Sequence, residues 1–167
     1  MKTKNRIFLT TLIAALLSFF AYLLVAGHYK SLAYEADGKY FVSYVIDGDT
    51  VALSNGERLR YIGINTPEIR HPIRGLEPYG IEAKKFNEEK VNRRWVRLEF
   101  DIEKRDKYGR LLAYVFYDDI FINAELIKSG LAKVMTIPPN TKYHSLLSTL
   151  EKKARASHVG IWNKNPR

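Results

Sequence analysis

The 167-residue chain has no cysteine, which excludes a disulfide framework, a thiolate nucleophile, a zinc knuckle and an iron–sulfur ligand set. That absence leaves the compartment open. No internal repeat and no low-complexity tract interrupts the sequence, so repeat architectures are excluded as well. Acidic residues are scarce, 18 against 27 Lys and Arg, for a net charge of +9. Such a surplus suits an anionic partner: nucleic acid, acidic glycan or anionic lipid. A smaller surplus also serves simply to keep a domain soluble. The chain is 46% apolar and carries 21 aromatic residues, enough to pack one core and too many for a disordered chain.

One long uncharged run is present, Ile7 to Ala26. As a helix its 20 residues would match the hydrocarbon thickness of a bilayer. Lys2, Lys4 and Arg6 precede it, which orients the N-terminus towards the cytoplasm and everything after Gly27 outside. The run exceeds the usual apolar stretch of a cleaved signal peptide, which favours a retained single-pass anchor in the cell membrane. Small residues in Val25-Ala26-Gly27 and Ser31-Leu32-Ala33 keep cleavage and secretion as the alternative. Those three cations are the only charges in residues 1–27, so +6 of the +9 belongs to residues 28–167.

Residues 28–38 read as a tether, 39–163 as the folded domain and 164–167 as a tail. Tyr40 to Ile46, Thr50 to Leu53 and Glu57 to Ile64 are rich in aromatic and β-branched residues. They are separated by Asp47-Gly48 and Asn55-Gly56, the pattern of a β-meander. After a polar loop, Tyr79 to Arg93 has helical spacing, with Tyr79, Ala83 and Phe86 on one face. Trp95–Phe100 and Leu111–Tyr117 are two further strands. Asn123 is placed to cap a short helix ending at Gly130, and Tyr143, Leu146, Leu147, Leu150 and Ala154 form the apolar stripe of a last one. The fold class expected is α+β: a five-stranded OB-fold β-barrel with three helices, preceded by a transmembrane helix or signal segment.

Taken singly, the polar motifs are weak. "VIDGDTVAL" is a plausible plain hairpin, and Val51 and Ala52 occupy positions where a calcium-binding EF-hand loop needs Asp or Asn and then Gly. "KYGR", Lys107 to Arg110, reads as a polar turn with Gly109 left-handed. Arg60 is odder, a charge inside a strand-like stretch that needs a partner.

Taken together and in order, "VIDGDTVAL", "LRYIGINTPE", "EPYGIEA" and "DKYGRLLAYV", followed by "GLAKV" and "IW", resemble the staphylococcal-nuclease-like, or thermonuclease, family over roughly residues 40 to 162. The resemblance implies an OB-fold phosphodiesterase that uses Ca2+ to cleave DNA and RNA. It implies Asp49, Asn65 and the Thr66 carbonyl as metal ligands, with Asp47 supporting the turn behind them. Glu68 would act as general base, and Arg60 and Arg110 as guanidinium clamps on the scissile phosphate. Lys107 and Tyr108 would touch the nucleotide's terminal phosphate; alternatively Tyr108 packs under the turn and Lys107 is solvated.

Two positions depart from the family pattern. Asn65 stands where the best-known members carry an aspartate, removing one formal charge from the ligand set. After "GLAKV", Met135-Thr136-Ile137-Pro138 replace a stretch that often holds two nucleotide-flanking tyrosines. The partners expected are DNA and RNA, single-stranded or denatured strands favoured, and the membrane if the N-terminus is retained. No obligate protein partner is evident. The competing function is a non-catalytic nucleic-acid- or protein-binding member of the same fold, and an envelope module for acidic glycans ranks behind it.

Overall fold

The computed structural model describes residues 12–25, 38–69 and 75–163. The chain divides into two units, residues 1–37 and 38–167. In the first, residues 12–25 form a helix, α1, with exposed side chains. Among the described residues no helix is long and apolar enough to cross a membrane. The remainder of the expected span, residues 7–11 and 26, lies outside the described residues, as do 28–37 of the tether and the tail at 164–167.

The second unit is built on strands β1 (Lys39–Val45), β2 (Thr50–Leu53), β3 (Arg58–Tyr61), β4 (Gly63–Asn65), β5 (Trp95–Glu99), β6 (Leu111–Tyr117), β7 (Ile120–Phe121) and β8 (Lys133–Met135). Helices α2 (Gly80–Val91), α3 (Ile122–Lys128) and α4 (His144–Ala156) and a 3-10 turn at Gly160–Trp162 complete it. The main sheet runs β3-β2-β1-β5-β6-β7, and a parallel β3–β6 pairing joins its two sides. Five strands therefore close into a barrel with three helices around it, the α+β architecture expected of the OB-fold. Closure removes the exposed edges that an open sheet would leave.

Alternation sets which side chains enter the barrel. In β5, Val96 and Leu98 are buried while Trp95 and Arg97 face outward, and in β6 Leu111, Ala113 and Val115 turn inward. Tyr114 is also buried, although it points the other way, because Phe121 and Tyr143 cover it edge-on at ring separations of 6.0 and 4.7 Å. A bulge near Ser43 shifts the β1–β2 register, so that Val42 and Val45 both reach the core.

Two expectations need correction. The third strand does not run unbroken from Glu57 to Ile64. It breaks after Ile62, whose N–H makes the last bond of the parallel β3–β6 ladder, to the Ala113 carbonyl, and Gly63 has φ +79°. Glycine adopts that conformation without strain, and a Cβ there would lie 2.9 Å from Leu147. The bend sends β4 out of the barrel to pair with β8, and so turns Asn65 and Thr66 back towards the β1–β2 turn.

The second correction concerns Asn123. It does not cap α3, whose N-cap residue is Phe121. The fully buried Asn123 amide instead accepts from the Val115 N–H at 3.0 Å and donates to the Ile62 carbonyl at 2.8 Å. It satisfies the backbone at the strand break, where two buried polar groups would otherwise lack partners. Asn123→Ala should therefore cost about 2–4 kcal/mol of stability, read as a lower midpoint in denaturant unfolding with an unchanged slope.

Candidate active site

The site begins at the Asp47-Gly48-Asp49 turn between β1 and β2. The Asp47 carboxylate accepts the Asp49 N–H at 3.1 Å, a local bond that stiffens the turn. Gly48 is buried, and a Cβ on it would lie 2.7 Å from the Thr66 side chain. The bare backbone lets Thr66 sit directly on the turn. Behind it, the buried Asn87 of α2 donates to the Asp47 carbonyl at 3.3 Å and accepts from the Tyr61 hydroxyl at 2.9 Å.

Asp49 is only 1% exposed, and a carboxylate that buried must be paired. One oxygen accepts the Thr66 N–H at 2.7 Å. The other accepts from the Thr50 hydroxyl at 3.2 Å and pairs with Arg60. The second Arg60 nitrogen donates to the Asn65 side-chain oxygen at 2.7 Å, with the Ile64 carbonyl at 3.4 Å. The strand-borne arginine thus has its partners, and four residues predicted from sequence, Asp49, Arg60, Asn65 and Thr66, meet in one cluster.

Electrostatics draws in the others. Burial raises the Asp47 pKa against the opposing pull of Thr50, Arg60 and Arg110. Burial lowers that of Arg60; Asp47, Glu68 and Asp106 oppose the shift, and Arg110 reinforces it as a like charge. Glu68 is exposed, with its backbone fixed by two bonds to Glu77: its N–H donates to the Glu77 carboxylate and its carbonyl accepts the Glu77 N–H, both at 2.9 Å. Residues 70–74 between them lie outside the described residues.

Arg110 and its neighbours come from the turn before β6. Asp106 accepts the N–H groups of Tyr108 and Arg110 at 2.9 and 3.0 Å and the Arg110 Nε–H at 2.7 Å. Tyr108 is 73% exposed, so it does not pack under the turn. Lys107 and Arg110 approach its ring at 5.1 and 5.6 Å. Beside the turn lies a cavity of about 420 Å³, lined in part by Arg60, Lys107, Tyr108, Leu112, Met135 and Ile137. Met135 and Ile137, the residues that break the family pattern, thus form part of its wall.

Sequence reasoning missed Asn87, Asp106, Glu57 and Arg105. Asp106 carried a usable signal, since Asp three residues before Gly is the signature of a capped turn. The others act through contacts distant in sequence.

A family model described as "Staphylococcal nuclease homologue" matches residues 58–164. A thermonuclease of Staphylococcus intermedius is 39% identical over 156 residues, covering 91% of this chain and 93% of that protein. The chain belongs to the staphylococcal-nuclease-like family. A Staphylococcus hyicus thermonuclease is 37% identical over 143 residues, 83% of this chain and 85% of that protein. Endonuclease YncB of Bacillus subtilis is 43% identical over 125 residues, 72% of this chain and 59% of that protein.

The donor types gathered here are those a hard divalent cation takes. Among the described residues no group of three or more His, Cys, Asp or Glu is poised for a metal. One carboxylate, one amide oxygen and one backbone carbonyl are the donors on offer, all oxygen, as such ions require. The Asp49 and Asn65 oxygens already hold a positive group, the Arg60 guanidinium.

Burial raises the Asp106 carboxyl, but the Arg110 side-chain bond and the two backbone N–H bonds outweigh it and hold the group below the ordinary aspartate value. A depressed carboxyl pKa means that the Asp106–Arg110 contact is intact above the unfolded value and is lost as pH falls through the folded one. In an NMR titration the Arg110 Nε–H signal should therefore shift with a midpoint below that of an unpaired aspartate. A midpoint at or above that of an unpaired aspartate would contradict the pairing.

Proposed function

We propose that the protein is a Ca2+-dependent phosphodiesterase that hydrolyses DNA and RNA outside the cytoplasm. The observation that carries this reading is the meeting of the β1–β2 turn with the Asn65-Thr66 segment, which gathers oxygen donors and Arg60 beside Glu68 and Arg110. The nuclease names of the relatives support the coarser statement, a hydrolase acting on nucleic acid. The N-terminal cations ahead of an uncharged run support export.

In this reading Asp49, Asn65 and the Thr66 carbonyl would hold Ca2+, which supplies Lewis-acid polarisation of a phosphoryl oxygen when bound. Glu68, exposed and fixed through its backbone, takes the proton from an attacking water. Arg60 and Arg110 bond the non-bridging phosphate oxygens and stabilise the charge that accumulates on them as the water oxygen bonds to phosphorus and the bond to the leaving oxygen breaks, that oxygen taking its proton from solvent. For the first, this means exchanging part of its contact with Asp49 and Asn65 for the phosphate. Lys107 and Tyr108 meet the substrate along the cavity, and Met135 and Ile137 offer it an apolar wall in place of aromatic rings. Aromatic stacking is worth about 1–3 kcal/mol per base, so nucleotide affinity should be lower than in relatives that keep the tyrosines.

The full chain should cleave denatured DNA with Ca2+ and not with chelator. Glu68→Gln should lower kcat by about 10²- to 10⁴-fold while leaving strand binding intact. Binding with no cleavage in the unmodified chain would instead establish a non-catalytic binding protein. Asn65→Asp adds a charge to the ligand set and should tighten Ca2+ in a calorimetric titration; equal or weaker affinity would remove Asn65 from the ligands.

A further inference from the structure

The turn that carries Lys107, Tyr108 and Arg110 is shaped from within by Asp106, but internal bonds do not fix how the turn sits on the barrel. Arg105 does both. One of its nitrogens donates to the Gly109 carbonyl at 2.8 Å, inside the turn. The guanidinium also forms a two-pronged pair with Glu57 at 2.9 and 2.8 Å. Glu57 lies on the β2–β3 hairpin, three residues before Arg60, and Arg105 bridges to Leu111 at the start of β6. Since β3 and β6 run parallel, with Leu59 opposite Leu111 and Arg60 opposite Leu112, the pair fastens the entries of these strands where Arg60 and Arg110 emerge.

Arg60 and Arg110 carry like charge and approach one site from the two parallel strands, so a contact between the entries of those strands bears on how the guanidiniums sit relative to one another. Further back, the loop is held differently. The Asn140 amide bonds the Glu103 N–H and carbonyl at 2.8 Å each, and the Lys142 N–H donates to Asp101 at 3.0 Å. Those braces hold residues 101–103 against the segment around 140, and the Leu112 N–H donates to the Lys104 carbonyl at 2.9 Å, pinning the base of the turn to β6; the Glu57 pair ties the turn across to the β2–β3 hairpin.

We propose that Glu57 and Arg105 form a positioning clamp that sets the separation of Arg60 and Arg110, and so holds the two guanidiniums at the spacing one phosphate requires. The assignment rests on the nuclease reading for its catalytic consequence, and on contacts alone for its structural one. Glu57 does not line the cavity and acts through Arg105, which lines it and braces the turn, so Glu57→Gln is the variant that isolates positioning. The Arg105 and Glu57 side chains are 51% and 33% exposed, and ion pairs that open to water contribute little to global stability. A clamp on local geometry predicts a different signature from a stabilising bridge.

The test uses the full chain carrying Glu57→Gln, Arg105→Met, both together, or Arg105→Lys, which keeps the charge but not the two-pronged geometry. In chelator, amide exchange at Tyr108 and Gly109 should quicken roughly fivefold in each single variant, the scale that a contact of this kind can bias. The double variant should be no faster than Arg105→Met alone, because Glu57 acts on the turn only through Arg105. The midpoint of global unfolding and the Ca2+ affinity should stay put. On a single-stranded oligonucleotide with Ca2+, kcat should fall by a similar factor with KM little changed, and Arg105→Lys should not restore it. Unaltered exchange at the turn, or additive effects in the double variant, would overturn the clamp whatever the activity. Faster exchange with full kcat would overturn its positioning role. A chain that cleaves nothing in unmodified form would sink the nuclease reading and leave the exchange result to decide the clamp.

Discussion

A single buried carboxylate ties this site together. Asp49 has almost no access to water, and it is tolerable in that position because Thr66 N–H, the Thr50 hydroxyl and Arg60 satisfy it from three sides. Each partner comes from a different stretch of chain, so satisfying the carboxylate also determines the local fold. The Gly63 bend that takes β4 out of the barrel is what returns Thr66 to the carboxylate, and Gly48 is the residue that gives it room. Burial and chemistry are then one constraint: the oxygens gathered to neutralise Arg60 are the ones the proposed reading assigns to a harder cation.

The positive side of the site is built under tension. Two guanidiniums share one neighbourhood with Asp47, Glu68 and Asp106, and among these and Asp49 it is Asp49 and Asp106 that contact them directly. Such an arrangement, with four carboxylates beside two guanidiniums, has no positive charge to spare of its own, and long-range attraction of a polyanion falls to the net +9 of the chain. The arrangement also needs mechanical restraint. Asp106 ties Arg110 to its own turn, the Asn87 side chain braces the Asp47 turn from α2, and Arg105 links the second turn to the β2–β3 hairpin. Rigid supports of this sort keep charged groups near productive geometry before substrate arrives.

Much of this was legible in the sequence, for identifiable reasons. Asp-Gly and Asn-Gly pairs between β-branched runs marked the meander, and four motifs in order pointed to the family and the candidate residues. The features that were not legible depend on packing between distant segments. Nothing in "RLRYIGIN" shows that Gly63 is left-handed or that β4 finds its partner strand at Lys133–Met135. Asn123 stands at a position that looks like a cap, yet its amide serves a strand break 61 residues earlier in the chain. Glu57 and Arg105 are ordinary surface charges until the barrel closes and brings them within hydrogen-bond distance.

The central claim is that Asp49 supplies the one carboxylate of a divalent-cation site. The direct measurement is a calorimetric Ca2+ titration of the full chain beside Asp49→Asn, which keeps the shape and the acceptor for Thr66 but removes the charge. The substitution is predicted to weaken Ca2+ binding by at least about tenfold while the protein remains folded. Equal affinity in the two proteins would place any bound cation elsewhere and contradict the claim.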